Sequence, residues 1–272
     1  MKKTILVTGA TDGIGLETVK ALVSMDHNVL LHGRNQTKLE NVIEELSTLA
    51  DPGRIESYVA DLSRMAEVED LAKAVAEKHE HLDVLINNAG VFVVPESSAD
   101  NGLDLRFVVN TIAPYLLTQK LLSLMDSSGR VVNLSSAAQA SVEPEALVGG
   151  HRLLSAGDAY AQSKLALTMW SRHLAASLGK EGPAIIAVNP KSMLGSKMVK
   201  QAYGSSGHDL RIGADILCRA ALSDEFADAS GKYFDNDIEQ FTHPHPDALD
   251  PQKCKDILHF IEVTLTKELK AT

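Results

Sequence analysis

Short runs of apolar residues alternate with amphipathic stretches from the start of the chain to about residue 190, and this alternation constrains the fold most. The runs lack the polar alternation of half-exposed strands, as expected of strands buried on both faces of a parallel sheet. Alternating strands and helices predict an α/β domain with a doubly wound parallel sheet of about seven strands. We predict strands at residues 4–7, 28–31, 55–60, 82–86, 129–134, 184–188 and 232–234. We predict helices at residues 14–25, 37–49, 63–78 (capped by Ser63), 103–125, 159–178, 212–222 and 251–270.

Composition narrows the class of protein. The 272 residues are 44% apolar and 23% charged, which excludes a disordered chain, a collagen and a coiled coil. No apolar run approaches the ~18 residues of a membrane span, and the first run, residues 4–7, is too short for a signal peptide. The formal net charge of −10 argues against nucleic acid and anionic membranes as partners. Two cysteines, Cys218 and Cys254, make no disulfide framework and lack metal-ligand spacing, so we expect a reducing, cytoplasmic location.

A glycine-rich turn follows the first predicted strand and precedes a predicted helix. Residues 8–15 read Thr-Gly-Ala-Thr-Asp-Gly-Ile-Gly. Glycines at such a turn let the backbone approach a pyrophosphate, and the helix N-terminus supplies N–H groups and partial positive charge. The turn therefore indicates a dinucleotide site, although glycine turns also occur for purely structural reasons.

The spacing T-G-x-x-x-G-I-G resembles the nucleotide loop of the short-chain dehydrogenase/reductase family. Further motifs of that family follow in the same order and on the expected elements. They are Asp61-Leu62 after the third strand, Asn87-Asn88-Ala89-Gly90 after the fourth, Asn110 in the long helix, Ser135-Ser136 ending the fifth strand, and Tyr160-Ala-Gln-Ser-Lys164 in the next helix. The resemblance covers at least residues 4–190 and implies a single Rossmann-type domain.

The resemblance also implies roles for individual residues. The catalytic set is Asn110, Ser136, Tyr160 and Lys164. The cofactor-binding set is Gly9, Thr11, Asp12, Gly13, Ile14, Gly15, Arg34, Asp61, Leu62, Asn88, Ala89, Gly90, Tyr160, Lys164, Pro190 and Ser192. Asp61 would contact the adenine, Lys164 the nicotinamide ribose, and Asn110 would support a proton-relay water.

Tyr160 and Lys164 are four residues apart, so on a helix they share one face. A tyrosine hydroxyl has an ordinary pKa near 10, and a neighbouring ammonium lowers that pKa, which suits Tyr160 to general acid/base work. Taken alone, such a pair is more often an exposed helix pair. Ser135 competes with Ser136 for the role of holding the substrate oxygen, and the family usually places the catalytic serine second.

Two departures from the family pattern concern the substrate side. The catalytic serine and tyrosine are 24 residues apart, about twice the spacing of many members, as in the retinol dehydrogenase and protochlorophyllide reductase branches. The inserted segment 139–158, with His151 and Arg152, either borders the substrate pocket or is a surface loop. In the predicted capping loop near residues 191–210, Lys191 replaces the family glycine, so a positive φ there would be strained. Ser192 or Ser196 would then supply the hydroxyl that meets the nicotinamide carboxamide.

The end of the second strand favours NADP(H) over NAD. The strand runs into His32-Gly33-Arg34-Asn35, without the carboxylate that binds the ribose 2′-hydroxyl in NAD enzymes. Gly33 leaves room for a 2′-phosphate, and the guanidinium of Arg34 can bind it through charge-assisted hydrogen bonds. The alternative is a solvated arginine at the start of the helix.

We therefore expect an oxidoreductase that transfers hydride between NADP(H) and a small carbonyl or alcohol substrate. The alternatives are a catalytically silent cofactor-binding sensor or scaffold, and a nucleotide-sugar epimerase. No metal site is predicted, since the His-x-His pairs at residues 79–81 and 243–245 lack companion ligands. By resemblance, helices 103–125 and 159–178 could form a homodimer or homotetramer.

Overall fold

The sheet of the computed structural model, described over residues 1–48, 55–94, 102–149 and 155–270, has eight strands in the order β3-β2-β1-β4-β5-β6-β7-β8. Neighbouring strands from β3 to β7 pair in parallel, and β8 pairs antiparallel with β7. The strands are β1 Thr4–Val7, β2 Asn28–Gly33, β3 Ile55–Val59, β4 Val84–Asn87, β5 Arg130–Leu134, β6 Ala184–Asn189, β7 Tyr233–Asp235 and β8 Gln240–Thr242. The predicted doubly wound α/β fold is confirmed, and β8 is an addition that its three residues did not signal.

Helices cover both faces of this sheet. They are α1 Gly13–Ser24, α2 Gln36–Ser47, α3 Met65–Lys78, α4 Leu105–Phe107, α5 Ala113–Leu121, α6 Ala156–Leu178, α7 Lys197–Tyr203, α8 Leu210–Leu222 and α9 Pro251–Glu268. Helices α1, α2 and α8 pack on one face, and α3, α5, α6 and α9 pack on the other. Within β1, Leu6 packs against the helices α3, α5, α6 and α9, whereas its neighbours Ile5 and Val7 pack on the face covered by α1, α2 and α8. Both faces of the strand are therefore buried, which explains its continuous apolar sequence.

The single long helix predicted over residues 103–125 is wrong. A five-residue π-helical turn, Val108–Ile112, separates α4 from α5, and a 3₁₀ turn follows α5. Pro114 accounts for the break, because proline has no N–H to donate and its ring crowds the carbonyl four residues before it. The residue at that position is Asn110, so the widened turn carries one of the predicted catalytic residues.

Two predictions at helix ends are also corrected. Ser63 does not cap α3, because its N–H and hydroxyl both donate to Asp61 Oδ1, at 2.9 and 2.8 Å, and the helix begins after Arg64. Helix α6 begins at Ala156, three residues earlier than predicted, where the Ser155 hydroxyl accepts from the Asp158 N–H.

The C-terminal helix α9 is part of the same core. Ile257, Ile261 and Leu265 are buried on its inner face. Tyr115 of α5 donates to Glu262 of α9 at 2.9 Å, and the buried Thr264 hydroxyl donates to the Leu147 carbonyl. The chain is thus one packed unit through the end of α9.

Burial makes both cysteines poorly reactive. Cys218 and Cys254 are free and buried, and burial raises the pKa of the first thiol to about 12 and of the second to about 11. Few thiolates form under such conditions, which fits a packing role. Within the described residues, no helix combines the length and apolar character needed to cross a membrane.

Gly15 tests how tightly the turn after β1 is packed. A Cβ at Gly15 would lie 2.2 Å from the Gly9 carbonyl oxygen and 2.4 Å from Asn88 Nδ2. We expect Gly15→Ala to lower the free energy of unfolding by about 1–3 kcal/mol, the range for overpacking. Urea denaturation measures this, with Gly157→Ala as the matched control in an uncrowded first turn of α6, expected to be neutral or stabilising. Equal stabilities for Gly15→Ala and the unaltered protein would contradict the packing described.

Candidate active site

The predicted site residues meet at the carboxyl edge of the sheet. The glycine turn follows β1, Asn88 to Gly90 follow β4, Ser136 follows β5, and Pro190 to Ser192 follow β6. The strand order reverses between β1 and β4, and in open α/β sheets ligands bind in the crevice outside such a switch point.

The turn after β1 is held by the segment after β4. Thr8 Oγ1 accepts from the N–H groups of Asn88 and Ala89, at 3.0 and 3.1 Å. The side-chain amide of Asn88 donates to the carbonyls of Thr8 and Gly9, at 2.8 and 3.2 Å. Gly9 and Gly13 have φ values of +67° and +57°, which favour glycine.

Asp12 caps the N-terminus of α1. Its carboxylate accepts from the Gly13 N–H at 2.8 Å and pairs with Lys197 at the start of α7. Burial alone would raise the pKa of Asp12, but the hydrogen bonds from Lys197 and Gly13 outweigh it and lower that pKa. Ile14 packs toward Gly213 on α8, and Gly15 is buried beneath the turn.

His32 is a site residue that the sequence reasoning missed. Its ring is buried at the end of β2; Nδ1 accepts from the Gly9 N–H at 3.3 Å, and Nε2 lies 3.0 Å from the Ala60 carbonyl. One nitrogen accepts and the other must donate, so the neutral ring with a proton on Nε2 fits both contacts. Desolvation by burial lowers the pKa of His32 to about 4. A histidine within an apolar strand that ends beside the glycine turn was the available signal.

The end of β2 is followed by an exposed cation, Arg34. A Cβ on Gly33 would lie 2.7 Å from Thr11 Cγ2, so this glycine is packed against the turn. Arg34 is exposed and forms no ion pair with any described residue. Asn35 caps α2 by accepting from the Lys38 N–H at 2.9 Å.

Beyond β3, Asp61 and Leu62 point in different directions. Asp61 Oδ1 accepts the two bonds from Ser63, and its N–H donates to Glu67 at 2.6 Å. Leu62 is buried in the core, so only its backbone is available to a cofactor.

Lys164 and Tyr160 lie together on α6. Lys164 Nζ is buried, donates to the Leu134 carbonyl at 2.7 Å, and lies 5.7 Å from the centre of the Tyr160 ring. Desolvation lowers the pKa of Lys164 to about 8, so the ammonium form still predominates at pH 7. A Cβ on Gly90 would lie 3.5 Å from Lys164 Nζ and 3.3 Å from Asn110 Oδ1, so these three residues meet.

Asn110 is clamped to the loop after β4. Its amide nitrogen donates to the Val91 carbonyl and to Ser163 Oγ, both at 3.0 Å, and its oxygen accepts from the Val91 N–H at 2.8 Å. Both N–H donors are therefore used, and the amide oxygen alone keeps accepting capacity for a water.

Arg106, which the sequence reasoning also missed, braces the same loop. Its buried guanidinium donates to the Phe92 carbonyl at 2.7 Å and pairs with Asp104 at 2.8 Å. The Phe92 ring in turn contacts the Tyr160 ring, with centroids 4.8 Å apart.

The two candidate serines have different surroundings. Ser135 is buried, with its hydroxyl 2.7 Å from Thr168 Oγ1 and 3.4 Å from the Lys164 carbonyl. Ser136 is partly exposed and its hydroxyl accepts from the Ala138 N–H at 3.1 Å, which leaves its proton for a ligand. This contrast favours Ser136 as the residue that can reach a substrate.

The segment after β6 carries the strain expected at Lys191. Its φ is +111°, and that of Met193 is +55°. Ser192 donates both its N–H and its hydroxyl to Asp237, whereas Ser196 caps α7 by accepting from the Val199 N–H at 3.2 Å. The expected loop over residues 191–210 also contains one regular element, α7, and ends at the first residue of α8. In the inserted segment, residues 144–148 form a 3₁₀ turn, and His151 and Arg152 lie outside the described residues.

Comparison with known proteins decides the family. The family model described as short chain dehydrogenase matches residues 3–205. The chain belongs to the short-chain dehydrogenase/reductase family. Retinol dehydrogenase 13 of Homo sapiens is 30% identical over 273 residues, which cover 93% of this chain and 81% of that protein. The chloroplastic short-chain dehydrogenase TIC 32 A of Brassica napus is 33% identical over 254 residues, covering 85% and 79%. This short-chain dehydrogenase/reductase lies in the retinol dehydrogenase-like branch.

Solved structures of the family agree with the fold. The Pseudomonas aeruginosa RhlG/NADP active-site complex has a TM-score of 0.68 and 25% identity, and covers 86% of this chain and 94% of that one. The landomycin C-6 ketoreductase LanV with bound NADP and rabelomycin has a TM-score of 0.66 and 28% identity, covering 86% and 94%. The chain is accordingly an NAD(P)-dependent oxidoreductase of this family.

The residues present fit a dinucleotide. Side chains at Gly9 and Gly15 would fill the turn, whereas a Cβ at Gly13 would meet nothing closer than 3.8 Å. The N-terminus of the 12-residue α1 opens at that point, which suits a pyrophosphate.

His32 makes stability depend on pH. The folded ring stays neutral down to about pH 4, whereas the unfolded ring gains a proton below about pH 6.5. Its contribution is therefore complete above about pH 6.5 and is lost as the pH falls toward 4. We expect the unaltered protein to lose about 2 kcal/mol more than His32→Asn between pH 7 and pH 5, because other groups titrate in both proteins. Urea denaturation at the two pH values tests this, and parallel losses would contradict it.

Proposed function

We propose that this protein is an NADP(H)-dependent reductase or dehydrogenase of a carbonyl/alcohol pair, with Tyr160 as the general acid/base. The observation that carries the proposal is the buried ammonium of Lys164 beside the Tyr160 ring, fixed by its bond to the Leu134 carbonyl. An ammonium in this position stabilises the phenolate and brings the tyrosine closer to proton transfer at neutral pH.

In the direction of reduction, the nicotinamide ring of bound NADPH supplies the hydride. Tyr160 donates its hydroxyl proton to the oxygen of the substrate carbonyl. Ser136 donates a hydrogen bond to the same oxygen and stabilises the charge that develops there. Asn110 holds the loop after β4 in place and can accept from a water that returns the proton.

Selection of NADP(H) rests on Arg34. The exposed guanidinium follows Gly33 at the carboxyl end of β2, where the sequence His32-Gly33-Arg34-Asn35 has no carboxylate to bind a 2′-hydroxyl. Two structural neighbours, RhlG and LanV, are complexes with NADP, which supports the same choice.

Apolar surface near the site favours an apolar substrate. Val93, Met193 and Ile238 lie beyond the carboxyl ends of β4, β6 and β7 and are 49%, 38% and 52% exposed. Relatives of this chain include proteins named retinol dehydrogenase and polyprenol dehydrogenase. We therefore propose an apolar alcohol or aldehyde as substrate, in the cytoplasm, where free cysteines stay reduced.

A silent sensor or scaffold is the second candidate. It would not need the buried Lys164 charge, which costs stability, nor the Ser136 hydroxyl left with an undonated proton. Turnover by the purified protein would separate the two functions.

Tyr160→Phe removes one hydroxyl and keeps the ring. We expect NADPH binding to persist and turnover to fall at least about 100-fold, the lower end of general acid–base contributions. The assay is NADPH oxidation with a panel of apolar aldehydes and ketones. Tyr115→Phe is the matched control, because that hydroxyl bonds Glu262 away from the site. A Tyr160→Phe variant as active as Tyr115→Phe would rule out this mechanism.

Arg34→Ala tests cofactor choice. One hydrogen bond to a charged group contributes about 1.5–3 kcal/mol, or roughly 10- to 150-fold in affinity. NADPH binding should weaken by that factor and NADH binding should stay nearly unchanged, measured by titrating both cofactors into both proteins. Lys180→Ala removes an exposed cation at the opposite edge of the sheet and should change neither affinity. Equal losses of affinity for NADH and NADPH would contradict the assignment of Arg34 to the 2′-phosphate.

A further inference from the structure

The segments that follow β6 and β7 are bound to each other. The two strands are parallel neighbours, so their carboxyl ends meet. The Asn236 N–H donates to the Asn189 carbonyl, and the buried Asn236 side chain donates to the Pro190 carbonyl, both at 3.1 Å. The segment after β7 therefore fixes the start of the loop at the nicotinamide side of the proposed cofactor site.

Asp237 is the centre of this contact. Its Oδ1 accepts from the Ser192 N–H at 2.9 Å; its Oδ2 accepts from the Ser192 hydroxyl at 2.5 Å and from Asn189 Nδ2 at 2.9 Å. Burial alone would raise the pKa of Asp237, but the bonds from Ser192 and Asn189 and the charge of Lys191 lower it. The carboxylate is therefore charged at neutral pH and its bonds are charge-assisted.

The residue that Asp237 holds lies within a strained turn. Lys191 and Met193, which flank Ser192, both have positive φ, a conformation that costs free energy for residues with a side chain. Such strain persists only where the surroundings over-determine the backbone. The three bonds to Asp237 supply that restraint on either side of Lys191.

We propose that Asp237 is a positioning residue for the cofactor: it holds Ser192 in the strained turn and accepts the hydrogen bond of its hydroxyl, so that the serine oxygen is left as an acceptor for the nicotinamide carboxamide. A hydroxyl whose single proton is donated to Asp237 can offer a ligand only its lone pairs. The amino group of the carboxamide is a donor, so the pair is complementary. This inference rests on the proposed function and assigns a part in it to a residue outside the family motifs quoted above.

The test compares two ligands. One is NADPH, and the other is 2′-phospho-ADP-ribose, which lacks only the nicotinamide ring. In Asp237→Asn we expect NADPH affinity to fall at least about 10-fold, the effect of losing one charge-assisted bond, and the fragment to bind within about 2-fold of the unaltered protein. Asp228→Asn, which changes an exposed carboxylate before β7 at the opposite edge, should alter neither affinity.

Two further variants keep the inference testable if Asp237→Asn fails to fold. Ser192→Ala removes the hydroxyl and retains the backbone bond, and it should weaken NADPH binding but not fragment binding. Lys191→Gly removes the cost of positive φ; it should bind NADPH at least as well as the unaltered protein, and in the Lys191→Gly background the loss caused by Asp237→Asn should shrink.

The outcomes separate this inference from the proposed function. Equal losses of affinity for both ligands in Asp237→Asn, or no loss for either, would overturn the inference. The proposal that the protein uses NADP(H) would still stand. Unaltered protein that binds neither ligand would overturn the proposed function and the inference with it.

Discussion

The hydrogen bonds between Thr8 and the segment after β4 are the contact on which the rest of the site depends. They join the ends of β1 and β4, the two strands between which the sheet changes direction. Because the turn after β1 is fixed to its neighbour, the N-terminus of α1 and the residues around Gly90 keep a constant separation. His32 extends this bracing toward β3 from beneath the same turn. The crevice is thus defined by main-chain positions before any ligand enters.

The buried ammonium of Lys164 costs stability and serves the proposed function. An ammonium buried with one carbonyl partner is poorly solvated, and its pKa falls to about 8. The low local dielectric that makes this burial costly also strengthens the interaction between the charge and its neighbour. The proposed acid/base role of Tyr160 depends on that weakly screened charge.

The parts of this structure that sequence could predict are local. The turn around Gly13 and the four-residue spacing of Tyr160 and Lys164 follow from neighbouring residues, and the positive φ at Lys191 was expected from the family glycine that it replaces. The π-helical turn had a local signal too, Pro114. The parallel arrangement of the strands and the bounds of α3 and α6 needed only the alternation of apolar runs, to within a few residues, whereas the order of the strands was not predicted.

What sequence could not predict depends on distant partners. Asp237 acts on Ser192 across 45 positions, and His32 meets Ala60 across 28. Neither residue carries a spacing that signals its partner, because both contacts arise from strands that become neighbours only in the sheet. Ser63 was misread for a local reason: a capping hydroxyl accepts from a helix N–H, whereas this hydroxyl donates to the nearby Asp61 carboxylate and the helix begins two residues later.

Helices α5 and α6 are enclosed by their own chain. Residues 113–118 of α5 and 162–171 of α6 are all buried, and such runs include every side of a helix. Helix α9 takes part in this enclosure by packing against α6 and through the bond from Tyr115 to Glu262. Arg172 of α6 is bonded to the Ala248 and Gly231 carbonyls, which precede α9 and β7. A second copy that paired through these turns would find no bare helix surface there. Contact with a second copy at these turns would therefore be made by the side chains that cover them and not by α5 or α6 directly.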